Sequence, residues 1–111
     1  MHTLLPDVSA FLDSSPIRQF IDGEWVAAAS SDTLDARDPG DGKVIAKFAA
    51  GDARDVDAAV SAAQQAFRKP GWATLPNNDR AVYLHRLADL VDKRREILAQ
   101  IESLDVGKPL D

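Results

Sequence analysis

The sequence contains no cysteine, and other elements of enzyme chemistry are scarce or missing. Without cysteine the chain forms no disulfide and offers no thiol nucleophile and no cysteine-ligated zinc site. No GxGxxG or GxxxxGK[ST] loop occurs, so the usual motifs that hold a dinucleotide or a triphosphate are missing. His2 lies near the terminus, and His85 falls on the polar side of a predicted helix. We therefore predict no catalytic residue and no cofactor-binding residue in this chain.

Excess basic charge and long apolar runs are also lacking. A formal net charge of -5 argues against a nucleic-acid partner, because neutralising phosphates requires a basic surface. No segment approaches the roughly 18 apolar residues of a membrane-spanning helix. The opening residues carry no cationic region of a secretory signal. We expect no nucleic-acid partner and no membrane partner. We also expect a cytoplasmic location, and the absence of cysteine is compatible with it.

The composition that is present is typical of one folded domain, with 45% hydrophobic and 28% charged residues among 111. Two hairpins are predicted. The first joins residues 19–21 and 24–26 through Asp22-Gly23, a pair typical of two-residue hairpin turns. The second joins residues 33–37 and 44–48 around a turn rich in glycine and proline.

Helical patterns surround the hairpins. Residues 7–13 predict a short helix with Asp7 as its N-cap. Asp52 is the predicted N-cap of a longer amphipathic helix that ends before Pro70, with apolar side chains at helical spacing. A cap region at residues 76–79 opens a long helical stretch that falters at residues 93–95, as two helices or as one bent helix. It ends between residues 105 and 107. Strands that all precede the main helices indicate an α+β arrangement.

Several sequence segments, in order, resemble one family. They are FIDGEWVAAAS, then TLDARDPGDGKVIAKFAAGDARDVDAAVSAAQQAF, then GWATLP, and finally LHRLADLVDKRREILAQIESLDVGKPL. Together they resemble the NAD(P)-dependent aldehyde dehydrogenases. The resemblance implies an α/β family fold of which this chain is the N-terminal α+β portion, comprising a short helix, β-hairpins and amphipathic helices. It also implies an N-terminal extension at residues 1–18 and the first part of an aldehyde dehydrogenase domain at residues 19–111.

The resemblance also implies a function. Family members run to several hundred residues, and their LD-x-GKP motif falls early. The chain is therefore expected to be an N-terminal fragment, inactive alone, of an oxidoreductase that converts an aldehyde to a carboxylic acid. The parent would use NAD or NADP, none of it bound by this chain alone, and its nucleophilic cysteine would follow Asp111. Residues 8–26, VSAFLDSSPIRQFIDGEWV, further resemble the corresponding segment of bacterial phenylacetaldehyde-type members.

One family site can be transferred onto this chain. Many members hold a structural K⁺ or Na⁺ with main-chain oxygens that correspond to Ala36 and Arg37 and with a carboxylate that corresponds to Asp105. Hard monovalent cations prefer such oxygens. The alternative is that Asp105 only caps its helix or pairs with Lys108.

As an enzyme fragment, the chain is expected to have the remainder of an aldehyde dehydrogenase chain as its partner. Two other roles stay open from the sequence. A non-catalytic interaction module would dock onto full-length subunits, and a degenerate remnant would have no role.

Overall fold

The computed structural model describes residues 3–110, so His2 and Asp111 lie outside the described residues. Within that range the order is a short helix, two β-hairpins and four more helices, in agreement with the predicted α+β arrangement. The elements are α1 Pro6–Asp13, β1 Gln19–Ile21, β2 Glu24–Val26, β3 Thr33–Arg37, β4 Val44–Ala49, α2 Ala53–Arg68, α3 Pro70–Ala73, α4 Asn77–Lys93 and α5 Arg95–Val106. No helix between residues 3 and 110 is long and apolar enough to cross a membrane.

Helix α1 packs against α5 and β4, and its Val8 is completely buried. Its N-cap is Leu5, and Asp7 lies inside the first turn. The prediction of Asp7 as the cap is therefore wrong, because Pro6 already fits the first helical position and moves the helix start back by one residue. At its actual position the Asp7 carboxylate still interacts favourably with the helix dipole.

The chain before α1 is fastened to α5 by one buried amide. The Gln100 side chain is 9% exposed; its Oε1 accepts from the Leu5 N–H at 2.7 Å, and its Nε2 donates to the Thr3 carbonyl at 3.1 Å. Both polar atoms of the amide are thus satisfied, as burial requires. The domain boundary after residue 18 stays a prediction, but the segment before it is packed onto the rest of the chain.

The two hairpins form as predicted. Asp22 and Gly23 both have positive φ, 54° and 78°, which two-residue turns of this kind require. In the second hairpin Ala36 lies opposite Ala46, and a bulge follows between Ala36 and Arg37. The sequence did not indicate that Ile17 would form a parallel bridge to Phe48 beside this hairpin.

Helix α2 begins with the predicted Asp52 cap. The Asp52 carboxylate accepts from the Arg54 N–H at 2.9 Å, and the Asp55 carboxylate accepts in return from the Asp52 N–H, also at 2.9 Å. The Asp52 side chain also accepts from the Asp55 N–H, and together with the bond from the Asp52 N–H to the Asp55 carboxylate this forms a capping box.

Asp55 also joins α2 to the first hairpin. Its Oδ1 accepts from Gln19 Nε2 at 3.1 Å and from the Ala29 N–H at 3.0 Å, and the residue is only 7% exposed. These donors stabilise the charged form, so the Asp52 N–H and then the Gln19 amide hold the pKa of the Asp55 carboxyl below its ordinary value of 3.8. One carboxylate thus connects a strand, a loop and a helix.

Replacing Asp55 by alanine is expected to release this connection. Because the Ala29 amide loses a charged acceptor, its hydrogen-exchange protection, measured by NMR, should fall roughly tenfold or more. Since the pKa of Asp55 is lowered in the folded state, the greater protection of the Ala29 amide in the wild-type chain should persist at pH 5. It should disappear only as the pH falls below about 3.8. Asp57→Ala, at an exposed position of the same helix, is the control. Equal protection in both variants would contradict the assignment.

The C-terminal helices agree with the predicted pattern in part. The break at residues 93–95 separates two helices at Arg94. Helix α5 ends at Val106, and its C-cap Gly107 has a φ of 77°, which glycine adopts readily. The predicted cap region at residues 76–79 does begin α4: Pro76 is its N-cap, without a side-chain hydrogen bond, and Asn77 is its first helical residue. Pro70 does not simply end α2, because it also begins the one-turn α3.

The buried apolar core is small. Among residues 3–110 the buried apolar side chains are Val8, Ala28 and Ala46. The accessible surface is 8738 Å², against about 6,000 Å² for a folded monomer of this length. The radius of gyration is 17.2 Å, against about 13 Å for a compact domain of this size. The helices therefore present apolar faces that this chain does not itself cover.

Candidate functional site

The end of β3 and the end of α5 meet, and both carry a motif found in the sequence. Gly107 of the LDVGKP motif lies against Pro39 of the DPGDG turn: a Cβ added at Gly107 would lie 3.2 Å from Pro39 Cγ. A larger residue at position 107 would be strained both by this contact and by the positive φ. The two motifs are thus parts of one junction.

Two of the three predicted cation ligands lie at this junction. Ala36 and Asp105 line the same cavity of about 280 Å³, whose other walls are apolar side chains from α1, β4, α5 and Ile17. Arg37 does not line it. The Arg37 guanidinium is directed elsewhere, with Nη1 donating to the Gly42 carbonyl at 3.0 Å and Nη2 lying 3.7 Å from Asp35. A contribution from Arg37 would come from its main-chain oxygen, as the resemblance implies.

The residues around Asp105 bear on its possible roles, which are a cation ligand, a helix cap or an ion-pair partner of Lys108. Lys108 Nζ pairs with Glu102 at 3.2 Å, so the Lys108 ion pair considered for Asp105 is formed with another residue. Gly107 supplies the C-cap of α5, with its N–H donating to the Ser103 carbonyl at 2.9 Å. Within residues 3–110 the Asp105 carboxylate has neither a hydrogen bond nor an ion pair, and the residue is exposed. Its oxygens are available to a ligand.

The donor set fits part of a monovalent-cation shell. K⁺ and Na⁺ prefer carboxylate and carbonyl oxygens, and Asp105 offers the first kind. The main-chain carbonyls of Ala36 and Arg37 are of the second kind, and the strand register shifts between these two residues, where Ile45 of β4 is the extra residue. No group of three or more His, Cys, Asp or Glu residues in the described part of the chain could hold a metal. A shell at this junction would therefore depend on main-chain oxygens, and further ligands would come from outside this chain.

The remaining sequence interpretations concern chemistry. His85 is exposed on α4, as its position opposite the apolar stripe predicted.

Sequence reasoning missed Gln100 and the connecting role of Asp55. The D-x-x-D spacing of Asp52 and Asp55 is a capping-box signal that could have indicated Asp55, whereas no sequence pattern indicated Gln100.

Comparisons with known proteins agree on one family. The model of the aldehyde dehydrogenase family matches residues 25–111. The mitochondrial aldehyde dehydrogenase of Equus caballus is 46% identical over 91 residues, which are 81% of this chain and 18% of the relative. The mitochondrial benzaldehyde dehydrogenase of Antirrhinum majus is 41% identical over 106 residues, which are 96% of this chain and 19% of the relative.

Solved structures show the same likeness in three dimensions. The NAD⁺ complex of the aldehyde dehydrogenase from Bacillus cereus superposes with a TM-score of 0.93 at 42% identity, over 97% of this chain and 22% of that one. The NAD⁺ complex of betaine aldehyde dehydrogenase from Staphylococcus aureus gives 0.86 at 35% identity, over 94% and 21%.

These matches define the class of the chain as the N-terminal α+β portion of a larger α/β oxidoreductase fold. The chain belongs to the aldehyde dehydrogenase family. It spans about a fifth of the length of the relatives that it matches.

Proposed function

We propose that this chain is the N-terminal part of an enzyme that oxidises an aldehyde to a carboxylic acid with NAD⁺ or NADP⁺. The observation that carries the proposal is the superposition of 97% of this chain on about a fifth of a solved aldehyde dehydrogenase at a TM-score of 0.93. The uncovered apolar faces support it, because a segment of a larger domain leaves such faces for the rest of that domain.

The chain's own contribution would be structural. The nicotinamide cofactor would accept the two electrons removed from the aldehyde, and the family's nucleophile is a cysteine, which this sequence lacks. The residues present instead position elements: Asp55 joins the first hairpin to α2, Gln100 fastens residues 3–5 to α5, and a K⁺ or Na⁺ held at Ala36, Arg37 and Asp105 would connect β3 to α5.

The substrate is proposed only as an aldehyde. The names of the relatives range from benzaldehyde dehydrogenase to betaine aldehyde dehydrogenase, so they do not narrow it. The resemblance of the first residues to phenylacetaldehyde-type members stays a prediction. NAD⁺ is supported as the cofactor by the two complexes, and NADP⁺ by an NADP/NAD-dependent relative from Escherichia coli. A cytoplasmic location is likewise a proposal, since some relatives are named mitochondrial.

A chimeric enzyme tests the proposal. In it, this chain replaces the matching portion of the Bacillus cereus aldehyde dehydrogenase, which is 22% of that protein. We expect the chimera to reduce NAD⁺ or NADP⁺ with an aldehyde, at a rate within about tenfold of the parent if the chain supplies structure and not reacting groups. Absorbance at the NADH band would measure the rate. A folded chimera that is inactive with every aldehyde accepted by the parent would overturn the proposal.

The exposed faces also favour a second candidate. As an interaction module the chain would dock onto full-length aldehyde dehydrogenase subunits, in place of their own N-terminal portion. The binding experiment described below separates this role from the first.

A further inference from the structure

Helix α4 carries an exposed apolar face. None of its residues is buried, although one side combines Leu84, Leu87, Ala88 and Val91 at helical spacing. A surface helix with such a stripe normally packs it against a core. Here the stripe continues into a groove between α4 and α5.

We call this feature the α4–α5 groove. Its floor consists of Ala88 and Val91 from α4 and of Leu98 and Ala99 from α5, and its volume is about 500 Å³. The charged side chains Asp92, Arg95 and Glu102 line its edge. The alanine that each helix contributes to the floor allows close approach of another backbone. An apolar centre surrounded by charged residues is typical of protein interfaces.

From this groove we infer an interaction surface: the α4–α5 groove is covered by the part of an aldehyde dehydrogenase chain that this chain does not contain, even when that part is a separate polypeptide. The inference rests on the proposed function. It adds where the two parts meet and that covalent continuity is not needed for them to assemble.

The exposed area favours this occupant. The surface exceeds that of a folded monomer of this length by about 2,700 Å², whereas a standard interface covers about 800 Å² per partner. A surface of that extent is typical of obligate contacts. The relatives contain a part large enough to cover this surface, since about four fifths of each lies outside the matched region.

A fold already formed also favours it. The chain taken by itself superposes at a TM-score of 0.93 on the matching portion of a chain more than four times as long. Little rearrangement would therefore be required on binding, and a preorganised surface loses less entropy when a partner docks.

Two valines on α4 provide a matched pair of variants. Val91 lies in the groove and is 50% exposed, and Val82 is 56% exposed. Nine residues apart, they point to opposite sides of the helix, since each residue adds about 100°. Val91→Asp would place a charge in the interface, whereas Val82→Asp adds the same charge to the side that carries Arg86 and Lys93.

The test measures binding of this chain to the Bacillus cereus enzyme truncated by the matching 22%. We expect the wild-type chain and Val82→Asp to bind with dissociation constants within about threefold of each other, and Val91→Asp to bind at least about 100-fold more weakly. Binding and recovered NADH formation are both measured. Should the truncated enzyme aggregate, the same substitutions are compared in the covalent chimera, where Val91→Asp should lower the melting temperature clearly more than Val82→Asp does.

Four results would overturn the inference. One is equal effects of the two valine substitutions. Another is binding to the complete Bacillus cereus enzyme as tight as to the truncated one, which would favour docking onto full-length subunits. A third is a Val91-dependent dimer of the chain alone in sedimentation, which would make a second copy the occupant. The fourth is an active covalent chimera whose separate parts do not associate; an inactive chimera instead counts against the proposed function.

Discussion

The 111-residue chain alone is expected to oxidise no aldehyde. It contains no cysteine to attack the carbonyl carbon, no phosphate-binding loop for the nicotinamide dinucleotide, and an exposed His85 as the only histidine among residues 3–110. Enzymes accelerate reactions by about 10⁶-fold or more, and that factor requires the nucleophile and the cofactor site together. NADH or NADPH formation by the purified chain should therefore equal that of a heat-denatured sample.

The covalent chimera described above is the positive control for this expectation, because it contains the same 111 residues. A rate with the isolated chain that is well above the denatured control, proportional to protein concentration and retained through purification, would contradict it. Such a rate would mean that a reacting group other than cysteine is present in this sequence.

The local structure was largely predictable because its signals are short-range. Asp22-Gly23 requires only its own two residues to specify a turn, and Asp52 caps α2 through hydrogen bonds within one helical turn. The break between α4 and α5 was predictable for the same reason, since three consecutive basic residues interrupt the apolar stripe. The error at Asp7 arose because Pro6 also fits the start of a helix, and the two signals differ by one residue.

Long-range contacts were not predictable. Gln100 is 97 residues from its acceptor at Thr3, and glutamine has no positional preference that would indicate such a contact. The packing of Gly107 against Pro39 likewise joins two motifs that are far apart in the sequence. The sequence indicated each motif but not their proximity, except through the family resemblance.

The candidate cation site likewise depends on a long-range contact that local sequence signals do not indicate. The resemblance placed Ala36, Arg37 and Asp105 together, and Ala36 and Asp105 line one cavity. Apolar periodicity alone would not have indicated this, because Asp105 lies on an exposed part of α5 and Ala36 is an unremarkable strand residue. A cation site made of main-chain oxygens leaves no pattern of side chains to recognise.

Substituting Asp105 tests that site, and the chimeric enzyme is the appropriate background because the remaining ligands would lie outside this chain. If Asp105 binds a cation, the chimera should be stabilised by K⁺ or Na⁺, and Asp105→Ala should abolish that stabilisation. A cation present at about 100 times its dissociation constant contributes roughly 2.7 kcal/mol when it binds only the folded state. Loss of a mere helix cap would cost about 1 kcal/mol and would not depend on the cation.

The measurement compares melting temperatures of the chimera and its Asp105→Ala variant in K⁺, in Na⁺ and in a bulky organic cation at equal ionic strength. Glu102→Ala is the matched control, because it removes a carboxylate one turn earlier that pairs with Lys108 and does not line the cavity. It should retain the cation preference of the chimera. If the chimera shows no preference among the cations, or if Asp105→Ala keeps it, then Asp105 is not a cation ligand, and the junction between β3 and α5 is held by packing such as that of Gly107 on Pro39 alone.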